Sequence, residues 1–376
     1  MIRLNIPSIE QDDLEAVRAV LETGFLVQGP RVAAFEAELA RLTGAPHAVA
    51  VSNCTAALHL GLLALGVGPG DLVAVTAFSW ISTANVIELC GAQPVFVDID
   101  ASTFNMCPES LAERVGQLAA CAETRRKLKA VIPVHTFGQM ADVDAIGRVA
   151  AEHGLPVMED AACALGATWN GKQAGTAGTL GCFSFHPRKA VTTGEGGAIV
   201  THDAALARTL RALRNHGMDP EAGGPDFVMP GLNCRMTDFQ AALGSTQLTK
   251  LTRITSARQR LAKRYDMLLA GAPVTTPAVP EGSAHVYQSY VVLLPEAAAP
   301  ERPSILRRMR EAGVETTIGT WHMPMTTYFK ARYGYAAGDF PRADAVFARA
   351  LTLPLYEHMT DDEQQTVVRA LRDVLA

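Results

Sequence analysis

The chain has 376 residues, of which 48% are hydrophobic and 19% are charged, and its net charge is −5. This length predicts a large core and two domains, and the composition is typical of a soluble globular protein. The acidic balance argues against nucleic acid or an anionic membrane as a partner. Seven scattered cysteines without a CxxC pair indicate neither a zinc site nor disulfides, and they fit a reducing cytoplasm. The early charges of the N-terminus do not suit a signal peptide, and no apolar run is long enough to predict a membrane span.

Short apolar runs alternate with helical patterns over residues 48–200. The expected strands are 48–52, 71–78, 94–100, 129–137, 155–161, 180–185 and 197–201, and the expected helices are 54–66, 81–91 and 142–154. Apolar strands separated by helices predict an α/β fold with a mostly parallel sheet covered on both faces. Ligands of such sheets bind at the carboxyl ends of strands, where Asn53, Trp80, His135 and Asp160 all occur.

The pattern changes after about residue 245. Residues 246–271 place apolar side chains along one face and predict a long amphipathic helix. Its basic residues are interpreted as a solvated helix face, because no aromatic residues interleave with them. The elements that follow are a Pro-rich connection, a strand and two helices, at 272–282, 285–295, 305–315 and 361–376. We therefore predict a large domain over 1–245 and a smaller α+β domain over 246–376.

Lys189 lies between an apolar strand and a glycine-rich turn in the run SFHPRKAVTTGEGG. Ser184 precedes it in the same run, and Asp160 ends another apolar strand. A lysine that can form a Schiff base, an aspartate that can pair with a pyridinium nitrogen and a serine suited to phosphate are the parts needed to hold pyridoxal phosphate. Taken alone, such a lysine is far more often a surface residue in an ordinary loop, and only the other parts of the pattern favour a cofactor site.

Further parts of such a site follow other strands. Ser52, Asn53 and Thr55 lie at a strand–helix junction, where free N–H groups and the helix dipole attract an anion, although an ordinary N-cap looks the same. Trp80 could stack on a pyridine ring or belong to the core. The Asp160 carboxylate, at the end of an apolar strand, needs a positive partner such as a protonated ring nitrogen, or it acts as a cap or in a salt bridge.

Two other kinds of site are excluded by their own patterns. The run GATWNGKQ (166–173) nearly matches the GxxxxGK[ST] phosphate loop, but Gln173 replaces the magnesium-binding hydroxyl and no helix is predicted after it. The ten histidines form no metal-binding run. We expect no bound metal and assign His322 a structural or substrate-facing role.

Taken in order, these strings resemble the DegT/DnrJ/EryC1/StrS family of sugar aminotransferases, which are fold-type-I pyridoxal-phosphate enzymes. The matching strings include IPSIEQDDLEAVRAVLETGFLVQGP, SNCTAALHL, PVHTFGQMADVDAI, EDAACALGA, SFHPRKAVTTGEGGAIVT, GLNCRMTDFQAALG and GDFPRADAVFARALTLPLYEHMT. They cover almost the whole chain. The resemblance implies a large cofactor-binding domain with an N-terminal arm and a small C-terminal domain.

The resemblance also implies a role for single residues. Lys189 would carry the Schiff base and move a proton, Asp160 would bind the ring nitrogen, and Trp80 would stack on the ring. The residues implied to hold the phosphate are Thr55, Ala56, Ser184 and, from the neighbouring subunit of a homodimer, Asn233. The candidate substrate contacts are Glu195, His186 and His322.

Three positions depart from the family's pattern. Cys163 stands where the family has glutamine or histidine near the cofactor, and a thiol offers only a weak hydrogen bond. Cys54 replaces a common glycine in the phosphate turn, and residues 317–329 differ in a region that shapes the substrate pocket. Lys189 itself argues against the branch of the family that has histidine there and catalyses dehydration.

The resemblance implies a ping-pong transamination in amino-sugar biosynthesis, from an amino acid, expected to be L-glutamate, to the keto group of a nucleotide-linked sugar. One alternative is a cyclic ketone without a nucleotide, such as an inosose, distinguished by residues 214–232 and 317–329. Another is a non-catalytic cofactor-binding regulator, which an intact Lys189 and Asp160 disfavour. We expect burial and the nearby ring to lower the pKa of Lys189, because a general base must be neutral.

Overall fold

The structure is a computed structural model that describes residues 1–219, 221–222 and 226–376. Its strands are β1 (His47–Val51), β2 (Leu72–Thr76), β3 (Phe78–Ser79), β4 (Gln93–Val97), β5 (Leu128–Ile132), β6 (Met158–Asp160), β7 (Thr168–Trp169), β8 (Lys172–Gln173), β9 (Leu180–Ser184), β10 (Gly197–Thr201), β11 (Ser283–Ala284), β12 (Tyr290–Leu293), β13 (Trp321–His322) and β14 (Ala350–Leu353). Its helices are α1 (Gln11–Thr23), α2 (Pro30–Thr43), α3 (Cys54–Ala64), α4 (Ser82–Leu89), α5 (Pro108–Ala119), α6 (Ala122–Lys127), α7 (Val143–Glu152), α8 (Ala204–Arg214), α9 (Asp238–Leu268), α10 (Arg302–Glu311), α11 (Thr327–Tyr333), α12 (Pro341–Arg349) and α13 (Asp361–Leu375).

The central sheet consists of two hydrogen-bonded groups of strands, in the orders β1-β10-β9-β6 and β4-β2-β5. Parallel bridges from Val131 to Val157 and from Val134 to Asp160 join β5 to the β6 edge. Strand β10 is antiparallel to both of its neighbours, and the remaining pairs in the two groups are parallel. The prediction of a mostly parallel sheet is therefore confirmed.

The strands are buried because helices cover both faces of this sheet. Strand β2 is buried along its whole length, and β10 is as well, as expected for apolar strands in an α/β fold. The carboxyl ends of β1, β2, β6 and β9, together with the amino end of the reversed strand β10, bring the predicted motif residues to one edge of the sheet. No helix in the described part of the chain is both long and apolar enough to cross a membrane.

The long helix α9 begins at Asp238, ahead of the expected start at residue 246. A capping box causes this earlier start, because Thr237 and Gln240 satisfy each other's backbone and side-chain groups. The predicted domain boundary at 245/246 falls inside this one helix, and Phe96 of β4 packs edge-on against Phe329 and Phe340, which lie beyond that boundary. The division into two domains stays a prediction.

Two local expectations can be compared with the backbone. The strand expected at 285–295 is confined to β12, because Tyr287 has a positive φ of 50° and its ring stacks on His285. Residues 166–173 form the hairpin β7–β8, in which Asn170 and Gly171 adopt φ values of 48° and 80°. The sequence after Gly171 thus enters a strand, which agrees with the rejection of a phosphate loop.

Candidate active site

A cavity of about 820 Å³ opens at the carboxyl-end edge of the sheet. Eight of the predicted site residues line it, namely Thr55, Trp80, Asp160, Cys163, Ser184, His186, Lys189 and Glu195. The volume is in the range of pockets that enclose a cofactor together with a small molecule. Residues far apart in the sequence therefore meet in one pocket.

Lys189 enters the cavity from the loop between β9 and β10. Its Nζ lies 3.0 Å from the Sγ of Cys163. Burial works to lower the pKa of Lys189, but the charge and hydrogen bond of Cys163, together with Cys54 and Asp160, outweigh burial and raise the pKa. The expected decrease in the pKa of Lys189 is therefore wrong for the protein without cofactor. The sequence does not reveal that the Cys163 sulfur lies beside the Lys189 amine.

Asp160 is buried at the end of β6, and protein donors orient its carboxylate. Thr83 Oγ1 donates to Oδ2 at 2.7 Å, and the backbone N–H of Ala162 donates to Oδ1 at 3.2 Å. The hydroxyl of Thr83 also lies 3.2 Å from the carbonyl of Trp80, but the shorter contact to the charged oxygen is the stronger one. Asp160 thus presents a fixed negative charge to the cavity.

Helix α3 begins at the turn that is predicted to bind phosphate, called the phosphate turn below. Asn53 is its N-cap, and the Oδ1 of Asn53 accepts from the backbone N–H of Ala56 at 2.8 Å. Ala56 is not among the residues that line the cavity, so its assigned phosphate contact is not supported by this geometry. Thr55 and Ser184 do line it. A Cβ at Gly197 would lie 2.5 Å from the backbone of Asn53, so this glycine lets β10 approach the turn closely.

The outer wall carries Trp80, Glu195 and His186. The Trp80 side chain is 59% exposed and lines the cavity, which makes its ring accessible for stacking and excludes the core alternative. Burial lowers the pKa of His186, although the nearby Glu195 opposes this effect. His186 is therefore a neutral ring near neutral pH, suited to hydrogen bonding with a polar ligand.

Two predicted residues lie away from the cavity. His322 is buried, with Nδ1 3.2 Å from Asp344 Oδ1 and its ring packed against Phe340, so its substrate-facing role is wrong and the structural role fits. Asn233 is exposed and pairs with Asn215 in an isolated β-bridge. Its predicted contact with a neighbouring subunit remains a prediction.

These residues fit pyridoxal phosphate. The cavity combines a lysine amine, a buried and oriented carboxylate, an accessible aromatic ring, and hydroxyl groups beside a helix N-terminus. They match the aldehyde, ring nitrogen, ring face and phosphate of that cofactor respectively. No cluster of three potential metal ligands occurs among the described residues.

Sequence reasoning did not identify Thr83, Asn5 or Gln288. Thr83 supports Asp160, while Asn5 and Gln288 line the cavity. Thr83 could have been found from its position one turn after Trp80 at the start of α4. Asn5 and Gln288 belong to segments without any motif, and only the tertiary fold brings them to the site.

Comparisons with known proteins agree with this geometry. Residues 7–372 match the sequence profile of the DegT/DnrJ/EryC1/StrS aminotransferase family. The spore coat polysaccharide biosynthesis protein SpsC of Bacillus subtilis is 38% identical, with 99% of this chain and 96% of that protein aligned. A pleiotropic regulatory protein of Geobacillus stearothermophilus is 35% identical, with 98% of each chain aligned.

Solved structures extend the likeness to three dimensions. The protein Spr1654 of Streptococcus pneumoniae, in its PLP form, superposes with a TM-score of 0.92 at 29% identity, covering 100% of this chain and 98% of that one. Fold, cavity and sequence profile therefore agree over nearly the whole chain. The chain belongs to the DegT/DnrJ/EryC1/StrS aminotransferase family and is a pyridoxal-phosphate-dependent aminotransferase.

Proposed function

We propose that this chain transfers an amino group from L-glutamate to the keto group of a nucleotide-linked sugar, in amino-sugar biosynthesis, using pyridoxal phosphate held by Lys189 and Asp160. The observation that carries the proposal is the single cavity shared by Lys189, Asp160, Trp80 and the phosphate turn. The 38% identical relative SpsC is a spore coat polysaccharide biosynthesis protein, which supports a sugar as acceptor.

Pyridoxal phosphate, when bound, supplies an aldehyde for amino-group exchange and a ring that takes up electrons. Lys189 would hold the cofactor, and its neutral amine would remove and return a proton at the substrate carbon. Asp160, oriented by Thr83, would offer its negative charge to the ring nitrogen. Thr55 and Ser184 would bind the phosphate, and Trp80 would stack on the ring.

The acceptor would enter past the outer wall of the cavity. Thr317, Gly319 and Thr320 also line the cavity, within the segment whose sequence departs from the family's pattern. Hydroxyl and backbone groups there suit hydrogen bonds to a polar ketone. Glu195 and His186 are the other proposed substrate contacts.

The proposal is tested with purified enzyme, pyridoxal phosphate and L-glutamate. The absorbance of the bound cofactor should change in a half-reaction that releases 2-oxoglutarate. A panel of nucleotide-linked ketosugars and ketocyclitols then identifies the acceptor. Turnover confined to ketocyclitols would favour the inosose alternative, and an absence of spectral change with every amino donor would favour a cofactor-binding regulator.

We further propose a homodimer in which Asn233 reaches the phosphate of the partner's site. The support is that Asn233 is exposed outside its own cavity, near exposed apolar side chains at Phe227, Val228 and Leu232. Mixing Lys189→Ala with Asn233→Ala chains under exchange conditions should restore activity, because one site of each mixed dimer regains both residues. Failure to restore activity when mixed dimers have formed would overturn the shared site.

We also propose that the protein is located in the cytoplasm. All seven cysteines are free thiols, and this supports a reducing compartment. Fractionation of cells that produce the protein, with an antibody against it, checks the location.

A further inference from the structure

Arg258, on helix α9, is the largest fully buried side chain of the described structure. Its guanidinium donates to the carbonyls of Gln288 and Leu355, each at 3.1 Å, and to the side-chain Oδ1 of Asn5 at 2.6 Å. Burial lowers the pKa of Arg258 to about 10, so it remains charged at neutral pH. One buried cation therefore holds three separate segments of the chain, all of which reach the cavity.

Two of the residues bound to this cation, Asn5 and Gln288, also bind the lysine loop, which is formed by residues 185–196 between β9 and β10. Asn5 Nδ2 donates to the carbonyl of Pro187 at 3.1 Å, and Gln288 Nε2 donates to the carbonyl of Arg188. Pro187 and Arg188 are the two residues directly before Lys189. The backbone that leads into the lysine is thus held from the N-terminal segment and from the segment before β12.

We propose that Arg258, acting through Asn5 and Gln288, is a positioning residue that fixes the backbone before Lys189. The inference rests on the proposed function of Lys189 as the group that holds the cofactor and moves the proton. Asn5 accepts from Arg258 with its side-chain oxygen, and Gln288 accepts with its backbone carbonyl. The side-chain N–H group of each residue donates to the loop, so Asn5 and Gln288 each connect Arg258 to the backbone before Lys189. Displacement of a reacting group by about 1 Å costs on the order of 100-fold in rate, so such a link affects catalysis.

The test removes the link to the loop while leaving Arg258 in place. Asn5→Asp keeps an oxygen for Arg258 but loses the N–H donated to Pro187, and Gln288→Glu keeps its backbone carbonyl but loses the N–H donated to Arg188. The matched control is Gln259→Glu. Gln259 is the neighbour of Arg258 on α9, and its side chain donates to the carbonyl of His285 at 3.0 Å, with no hydrogen bond to residues 185–196 in the described part of the chain.

We expect kcat to fall about 10-fold in Asn5→Asp and in Gln288→Glu, while KM changes less than about threefold. In the control Gln259→Glu, kcat and KM should both stay unchanged. A second readout uses the protein without cofactor. Amide hydrogen exchange of residues 186–190 should be about fivefold faster in the two variants than in the wild type or Gln259→Glu. The pH midpoint of the absorbance change of the bound cofactor should also move in the two variants only.

Unchanged exchange and kcat in both variants would overturn the proposal, as would an increase in KM alone, which would identify Asn5 and Gln288 as substrate contacts. Arg258→Lys is a further variant, expected to show the same exchange effect because an ammonium cannot reach all three acceptors. Failure of the proposed function can be told apart from failure of this proposal. If the proposed function is wrong, the wild type shows no half-reaction with L-glutamate, whereas the hydrogen-exchange measurement needs no activity and still tests the link to the loop.

Discussion

Replacement of Thr83 by valine tests how Asp160 is held. The change keeps the shape of the side chain and removes the hydroxyl that donates to Asp160 Oδ2 at 2.7 Å. A hydrogen bond to a charged group contributes about 1.5–3 kcal/mol. Since about 1.4 kcal/mol corresponds to a tenfold change in rate, the upper limit is roughly 150-fold. We expect a loss of about 10-fold in kcat, because the N–H of Ala162 still orients the other oxygen.

The assay is steady-state turnover, together with the single-turnover rate of the half-reaction with L-glutamate. Thr83→Ser is the matched control, because it keeps the hydroxyl and loses only the methyl group. The free energy of unfolding of both variants is measured in urea, so that loss of folded protein is separated from loss of rate. A valine variant within twofold of the wild type, or a serine variant equally impaired, would refute the reasoning.

Three further predictions concern residues of the site and the sheet beneath it. Lys189→Ala should lower the half-reaction rate by at least about 10²–10⁴-fold while cofactor still binds, as judged by absorbance; near wild-type turnover would contradict the assignment. Cys163→Ala removes the group that raises the pKa of Lys189 while burial remains, so the pKa should fall and the pH at half-maximal cofactor loading should move down; an upward shift would be inconsistent. Glu159→Gln replaces a buried carboxylate that bonds His135 at 2.7 Å and accepts from the N–H of Gly178 at 2.6 Å, so the free energy of unfolding in urea should fall by about 2 kcal/mol. A loss below about 0.5 kcal/mol would show that an amide serves equally well at this position.

The central sheet was predictable because its strands are apolar throughout and separated by helical patterns. Strand β10 coincides with the expected run at 197–201. The start of α9 was missed because the helical face was followed only from residue 246, although Thr237 and Gln240 already carry a capping signal. The irregular segment before β12 was not predictable, since alternation of apolar residues does not reveal the positive φ of Tyr287.

The meeting of Lys189 and Asp160, the proposed catalytic pair, was predictable because parallel strands end at one edge of the sheet. Lys189 and Asp160 follow such strands, and they meet in the cavity. The contact between Lys189 and Cys163 was not predictable, because it depends on side-chain packing across two loops. For the same reason the sequence left the role of His322 open between structure and substrate, and only the packing against Phe340 and Phe347 favours the structural role.

The single reversed strand of the sheet has a consequence for folding. Strands β9 and β10 are joined directly by the lysine loop, with Ser184 paired to Gly197 at its base, whereas parallel neighbours need longer crossovers. Among the strand pairs of the central sheet, this one closes the shortest connection, residues 185–196, so we expect it to form with the least loss of chain freedom in that sheet. The lysine loop is then shaped early, while Asn5 and Gln288 arrive only with the outer segments of the chain. A partly folded chain would therefore carry its reactive lysine in an open loop, and the pocket around it would be the last part to close.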